Sequence, residues 1–384
     1  MDAVYLDNAA TTFPKPSEVY DYMMDMYKNY GINAGRGKSS SAVNIDMIIE
    51  DTRKMLKNLV NAKDSYEAVF APSATIALNQ ILFGLDYSSI KNIYITKFEH
   101  NAVLRTLNEI KKREDINIHF LDFDGNEWDY DYDEIKYKFS NTKPDLVIVN
   151  HTSNVFGYTS NIEKIYEVSQ EYNPKYIIDA SQSLGVESID VCKCKFDFIV
   201  FAGHKTLYAP FGIAGFIMNK SIDLKPLIYG GTGTESANLD MPNANPTKYE
   251  AGSMNILSIF GLYRALLWIN KVGIESIKER KKQLTDQLVN VIEKYDYIQS
   301  YIPKQNHTSI VSFRVKGYPV DSMGEAIANN YNIALRYGLH CAPYAHEITN
   351  TLPEGTIRVS IGYFTTEEDI KRFDYALSEL EYEI

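Results

Sequence analysis

Seven short apolar runs, at 67–71, 92–96, 116–121, 145–150, 176–180, 197–202 and 213–218, alternate with helical patterns at 75–84, 101–113, 132–138 and 161–172. No other feature of this chain limits its architecture so strongly. Strand–helix alternation predicts an α/β fold whose mostly parallel, seven-stranded sheet carries helices on both faces. Ligands of such sheets bind beyond the carboxyl ends of the strands. Residues that directly follow an apolar run are therefore the first candidates for chemistry.

A different pattern follows the sheet region. From Leu257 to about Tyr295 the sequence is helical, with a break near Gly273. Strands at Ile310–Val315, 332–336 and 356–361, with helices at 320–330 and 366–380, then predict a smaller α+β unit. The boundary falls in the long helix, which gives a large domain over 15–260 and a small one over 1–14 and 261–384. Ahead of the sheet, residues 4–16 are rich in turn formers, and Ala9 and Ala10 let backbone approach a ligand closely. A helix is expected over Ser17–Tyr27 with Ser17 as its N-cap, then a glycine-rich loop at 31–41, then a helix over Ala42–Asn58.

Three of the strand ends carry chemistry. The run Asp-Phe-Ile-Val-Phe-Ala-Gly-His-Lys (197–205) delivers Lys205 at the end of a buried strand. Desolvation there favours the neutral amine, the form that attacks a carbonyl. Asp179 emerges from Tyr-Ile-Ile-Asp, a strand so apolar that the carboxylate needs a cationic or hydrogen-bonding partner. The turn at 69–79 opens a helix at Ala74 and Thr75, with the Thr75 hydroxyl available as a cap, and a helix N-terminus attracts anions. Amine, acid and anion cradle are the three groups that pyridoxal phosphate requires.

Composition excludes some partners. With 39 basic and 50 acidic residues the net charge is −11, and no basic face announces a nucleic acid. The first residues lack a secretory pattern and no apolar stretch is long enough for a membrane span, so neither export nor a membrane is expected. Three cysteines, an odd number, point to a reducing cytoplasm rather than a disulfide scaffold. Cys192 and Cys194 lie too far from any paired Cys or His motif for structural zinc; they read as ordinary turn residues, and no metal is expected.

Tyr5-Leu6-Asp7-Asn8-Ala9-Ala10-Thr11-Thr12, Glu99-His100-Asn101-Ala102-Val103-Leu104, Ser153-Asn154-Val155-Phe156-Gly157, Asp179-Ala180-Ser181-Gln182-Ser183, Gly203-His204-Lys205 and Tyr249-Glu250-Ala251-Gly252-Ser253 occur in that order. The series resembles the class V aminotransferase family, pyridoxal-phosphate enzymes of fold type I. Within that family, Arg336-Tyr-Gly-Leu-His-Cys341-Ala-Pro looks like the active-cysteine motif of the cysteine desulfurases, and its short loop resembles the group II desulfurases and selenocysteine lyases. The likeness runs from about residue 4 to 380.

The resemblance implies that Lys205 holds pyridoxal 5'-phosphate covalently and moves the Cα proton. Asp179 would pair with the ring nitrogen, Gln182 with the ring hydroxyl, and His100 would stack on the ring and serve in proton transfer. Ala74, Thr75 and His204 would hold the phosphate. Ser253 stands where the family has a threonine that reaches the partner subunit's phosphate, which implies a homodimer with a shared active site. Asn154 and Arg358, with Arg336 nearby, would bind the carboxylate of L-cysteine or L-selenocysteine. Cys341 would take the sulfur as a persulfide and pass it to an acceptor protein. A mobile loop and cationic neighbours, His340 and Arg336, are expected to activate its thiol. The rival readings are a selenocysteine lyase or another β-lyase on the same scaffold, a true aminotransferase, and a sulfur-carrying or regulatory protein without turnover. Pro72-Ser73-Ala74 stands where the family often has a glycine and a second hydroxyl, Ala202 where a serine is common and Ser253 where a threonine is, which together remove two hydroxyls from the phosphate cradle; the loop at 31–41 offers Arg36 and Lys38 but no histidine.

Overall fold

The structure, a computed structural model, describes residues 3–32, 40–235 and 237–383. In chain order it contains β1 (Val4–Tyr5), α1 (Ser17–Tyr30), α2 (Ser40–Asn58), β2 (Tyr66–Ala71), α3 (Ala74–Gly84), β3 (Asn92–Ile95) and α4 (Asn101–Ile110). Next come β4 (Asn117–Phe120), a ribbon of β5 (Phe123–Asp124) and β6 (Asp129–Tyr130), α5 (Tyr132–Asn141), β7 (Leu146–Asn150) and α6 (Ile162–Ser169). Three strands, β8 (Lys175–Asp179), β9 (Phe198–Ala202) and β10 (Ala214–Asn219), complete this half.

All seven expected strands join one sheet in the order β2-β10-β9-β8-β7-β3-β4. Every pairing is parallel except those of β10, which runs against both β2 and β9. Side chains alternate across the sheet, as strand geometry demands. Val69, Ile93, Ile95, Leu146 and Ile148 pack on one face, and Phe70, Tyr94, Val147 and Val149 on the other. Because both faces are covered, the strands read as nearly continuous apolar runs. That is why they were visible in the sequence.

The long helical stretch is two helices, α7 (Ile256–Val272) and α8 (Ile274–Glu293), bent by 81° at Gly273. Gly273 has φ of 89°, a conformation glycine takes at no steric cost. No single described helix is long and apolar enough to cross a membrane. After α8 come β11 (Ile298–Tyr301), β12 (Ile310–Val315), α9 (Val320–Tyr331), β13 (Ile333–Ala334), β14 (Arg336–Gly338), α10 (Ala345–Ile348), β15 (Thr356–Ser360) and α11 (Glu367–Glu383). A four-stranded antiparallel sheet, β11-β12-β15-β14, forms here. Val4 and Leu6 are buried in its core with α8 and α11, and β1 pairs in parallel with β13. The first residues of the chain thus belong structurally with the last hundred.

Two local expectations are corrected. Pro16, not Ser17, occupies the N-cap of α1, with no side-chain cap bond. The α3 cap is Ser73, whose hydroxyl accepts from the Ile76 amide at 3.3 Å; Thr75 lies inside the helix. Cys192 and Cys194 lie on a turn as expected, the first exposed and the second buried in the core. The expected loop at 31–41 falls largely on residues 33–39, outside the described residues.

Candidate active site

Beyond the carboxyl ends of β2, β7, β8 and β9 lies a cavity of about 390 Å³. Its lining includes Lys205, Asp179, Gln182, His100, Ala74, Thr75, His204, Asn154, Arg336, Arg358 and Cys341. Eleven of the twelve residues singled out from the sequence therefore converge. Ser253 is the exception: it is exposed and borders two other depressions.

Lys205 sits in the turn between β9 and its antiparallel neighbour β10. The turn is held from the far end of the chain. Thr11 Oγ1 and the Thr12 amide both donate to the His204 carbonyl at 3.0 Å, and Thr12 Oγ1 donates to the Lys205 carbonyl at 2.8 Å. Burial pulls the Lys205 ammonium down to about 8, opposed by Asp179 and assisted by Arg358 and Arg336. About a tenth of the amine is then neutral at pH 7, far more than for an ordinary lysine, as a nucleophilic or proton-abstracting amine requires.

Asp179 ends β8 and is 4% exposed. Its Oδ1 accepts from the Ser181 amide at 3.0 Å and the Ser181 hydroxyl at 2.6 Å. Those bonds orient the carboxylate and leave Oδ2 for a cationic partner. Gln182 donates from Nε2 to the Ala9 carbonyl at 2.7 Å, which orients its amide. His100 both caps α4 and lines the cavity. Its Nδ1 accepts from the Ala102 amide at 3.0 Å, and burial, then Lys205, lowers its pKa. The ring is therefore neutral with its proton on Nε2. His204 stacks on Phe211 at 4.6 Å, is pushed down to about 4 by burial, and keeps a buried Nδ1 without a partner.

The loop that carries Cys341 is hydrogen-bonded through two of its carbonyls. Asn101 N donates to the Cys341 carbonyl at 2.7 Å, and Asn154 Nδ2 to the His340 carbonyl at 2.7 Å. His340 and Cys341 take φ of 50° and 59°, left-handed values that non-glycine residues adopt at a cost. The thiol is nevertheless exposed to the cavity. His340 is not one of its cations. Burial, then Arg358, holds that imidazole well below its ordinary value, and its Nε2 lies 3.0 Å from the Thr356 carbonyl. The positive groups on the cavity wall are Lys205, Arg336 and Arg358.

Arg358 is 2% exposed. Its Nη1 donates to the Asn154 carbonyl at 2.8 Å and its Nη2 to Asp7 Oδ1 at 2.6 Å; Nε is buried without a partner. Asp7 also faces Arg336 Nη2 at 3.2 Å through Oδ2. Sequence reasoning quoted Asp7 within a motif and gave it no role, because its partners lie more than 300 residues away. Glu99 was passed over in the same way. Among the described residues no group of three or more His, Cys, Asp or Glu is placed to hold a metal ion.

A desolvated amine, a hydrogen-bonded carboxylate, a helix N-terminus and an unpartnered imidazole nitrogen fit a phosphate-bearing aldehyde with a basic ring nitrogen. The thiol and two guanidinium groups that line the same cavity fit a small thiol-bearing carboxylate.

Comparison with known proteins adds the following. The model of the family described as aminotransferase class-V matches residues 4–373. A "probable cysteine desulfurase" of Methanothermobacter thermautotrophicus is 29% identical, over 99% of this chain and 95% of its own. One so named from Pyrococcus abyssi is 30% identical, over 99% and 94%. Among solved structures, the apo cysteine desulfurase of Thermococcus onnurineus NA1 shares the fold with a TM-score of 0.90 at 25% identity, over 100% of this chain and 95% of that one.

Proposed function

Given that the chain belongs to the aminotransferase class-V family, we propose that it is a pyridoxal-phosphate-dependent cysteine desulfurase. It converts L-cysteine to L-alanine and leaves a persulfide on Cys341. The observation that carries this reading is that Lys205 and Cys341 line one cavity. An aminotransferase needs the amine; a desulfurase needs the amine and a thiol. The names of the relatives support the same reading.

Lys205 would hold the cofactor covalently, with Asp179 at the ring nitrogen, Gln182 at the ring hydroxyl and His100 against the ring. Ala74, Thr75 and His204 would hold the phosphate. When bound, pyridoxal phosphate supplies an electron sink for negative charge generated at the substrate Cα. Ser253 would serve the phosphate of a second copy, so a homodimer with shared sites is part of the proposal. That Ser253 is exposed and away from its own cavity supports this role.

Arg358 and Arg336 receive the substrate α-carboxylate, beside the Asn154 amide. Lys205 Nζ takes the Cα proton, which a pKa of about 8 favours. The neutral His100 ring is a second proton-handling group in the cavity. Cys341 Sγ attacks the substrate Sγ. A sulfur–sulfur bond forms, the Cβ–Sγ bond breaks, and a proton replaces sulfur on the carbon that becomes the alanine methyl group. Splitting sulfur release into capture and later transfer eases each step. From its exposed position Cys341 would hand the sulfur to an acceptor.

The test measures alanine and sulfide from L-cysteine and from L-selenocysteine, with and without a reductant. Alanine from L-cysteine, with sulfide released only when a thiol reductant is present, is the expected result. Keto acid without persulfide would identify an aminotransferase instead and would overturn the reading.

A further inference from the structure

Arg336 and Arg358 stand directly opposite each other in the antiparallel pair β14–β15. Like charges in that position repel. Asp7 straddles them: Oδ1 accepts from Arg358 Nη2 at 2.6 Å and Oδ2 meets Arg336 Nη2 at 3.2 Å. The Asp7 side chain is only 12% exposed and that of Arg358 3%, so water does little to screen that pair, while Arg336 is half-exposed. It arrives on a stitched backbone, since Leu6 N donates to the Ala334 carbonyl at 2.8 Å and Ser360 N to the Leu6 carbonyl at 2.7 Å. Asp7, Arg336 and Arg358 all line the cavity.

The charge count has a consequence for substrate choice. Two guanidinium groups and one carboxylate leave a single net positive charge on this wall. Asp7 and the Asn154 carbonyl occupy the terminal nitrogens of Arg358, while its buried Nε has no partner. We propose that Asp7 is a specificity-determining residue. By cancelling one of two facing guanidinium charges, it matches the wall to an amino acid with one carboxylate and disfavours one that carries a second acid group. A dianionic ligand would meet one uncompensated charge and Asp7 itself. The inference rests on the proposed amino-acid site and extends it to a residue that touches no reacting atom.

The test is direct calorimetric titration of the holoenzyme with propionate, a monoanion, and succinate, a dianion. Asp7→Asn keeps the shape and raises the net charge by one. It should move the ratio of the two dissociation constants about tenfold toward succinate. Adding Arg336→Gln to Asp7→Asn restores the count and should restore the ratio. Arg336→Gln alone, at a half-exposed side chain whose loss threatens the fold least, should move the ratio about tenfold the other way. Loosened packing would weaken both ligands alike and leave the ratio unmoved. An unmoved ratio in both single variants, or no restoration in the double variant, overturns the proposal. The titrations need no turnover. A wild-type protein that makes no alanine but shows these shifts would sink the desulfurase reading alone, and an alanine-forming protein with unmoved ratios would sink this one alone.

Discussion

Glu99 precedes His100 and has no exposed surface. Its Oε1 accepts from the Thr96 hydroxyl at 2.8 Å and the Asn150 amide at 2.7 Å; Oε2 is buried without a partner. Burial pushes the carboxyl up to about 8; the Thr96 and Asn150 bonds oppose that rise and Asp179 adds to it. At neutral pH the side chain is therefore mostly protonated. Its neutrality leaves Asp179 as the negative centre at that end of the cavity. An acid whose folded pKa is raised keeps its proton in the native state and releases it on unfolding. Its contribution to stability is full below the unfolded value of 4.5 and is lost as pH rises through about 8. Integrated from about pH 5.5 to about pH 8.5, the loss is about 3 kcal/mol. Glu99→Gln has nearly the same shape and never ionises, so it removes that slope. The assay is urea unfolding of both proteins at the two pH values, at one fixed cofactor concentration so that ligand linkage is shared. The variant should gain about 3 kcal/mol on the wild type between the lower and the upper pH, whatever their difference at either one. Parallel pH dependences for the two proteins would refute a neutral Glu99.

Three shorter predictions accompany it. Cys341→Ala should bring alanine formation from L-cysteine to background and spare alanine formation from L-selenocysteine, because selenium leaves without help from a thiolate; loss of both activities would mean that Cys341 supports the site in another way. Gly355 has φ of 84°, and a Cβ there would lie 2.0 Å from the Gly338 carbonyl oxygen at the base of the Cys341 loop. Gly355→Ala should therefore lower both the urea midpoint and kcat, by about 1–3 kcal/mol in stability. Arg53 and Glu250 form a buried bidentate pair at 2.8 and 2.7 Å, and Glu250 Oε1 also accepts from the Phe70 amide at 2.6 Å. Glu250→Gln should cost about 3–5 kcal/mol in the same unfolding assay, because it leaves a guanidinium charge buried beside a neutral amide.

How much of this was legible in the sequence follows from how far each signal reaches along the chain. The seven sheet strands were legible because both of their faces are buried, so each is an uninterrupted apolar run between polar turns. Lys205 and Asp179 were legible for the same reason: a polar residue directly after such a run has to be explained. The edge strands β1, β13 and β14 are only two or three residues long and carry no alternation, so nothing marked their pairing. A strand is expected over 332–336 but none at β1, and that gap hid Asp7, which is meaningful only once β1 lies against β13 and its end meets β15. His340 was misjudged as a cation because proximity in sequence to Cys341 says nothing about burial, and burial decides its charge.

The same logic explains why the charges of this site are divided between the two ends of the chain. A local sequence segment cannot hold two arginines, a lysine and two carboxylates in one small cavity without self-repulsion that would favour other conformations. Here the large sheet fixes Lys205 and Asp179 with strand pairing and with bonds from Thr11, Thr12 and Ser181. The small sheet fixes Arg336 and Arg358 opposite each other, where they would repel unaided. The strand that brings their counterion comes from the first residues of the chain, so one of the two arginine charges is cancelled only through a long-range contact. The wall that results keeps one net positive charge, on groups with little freedom left to lose on binding.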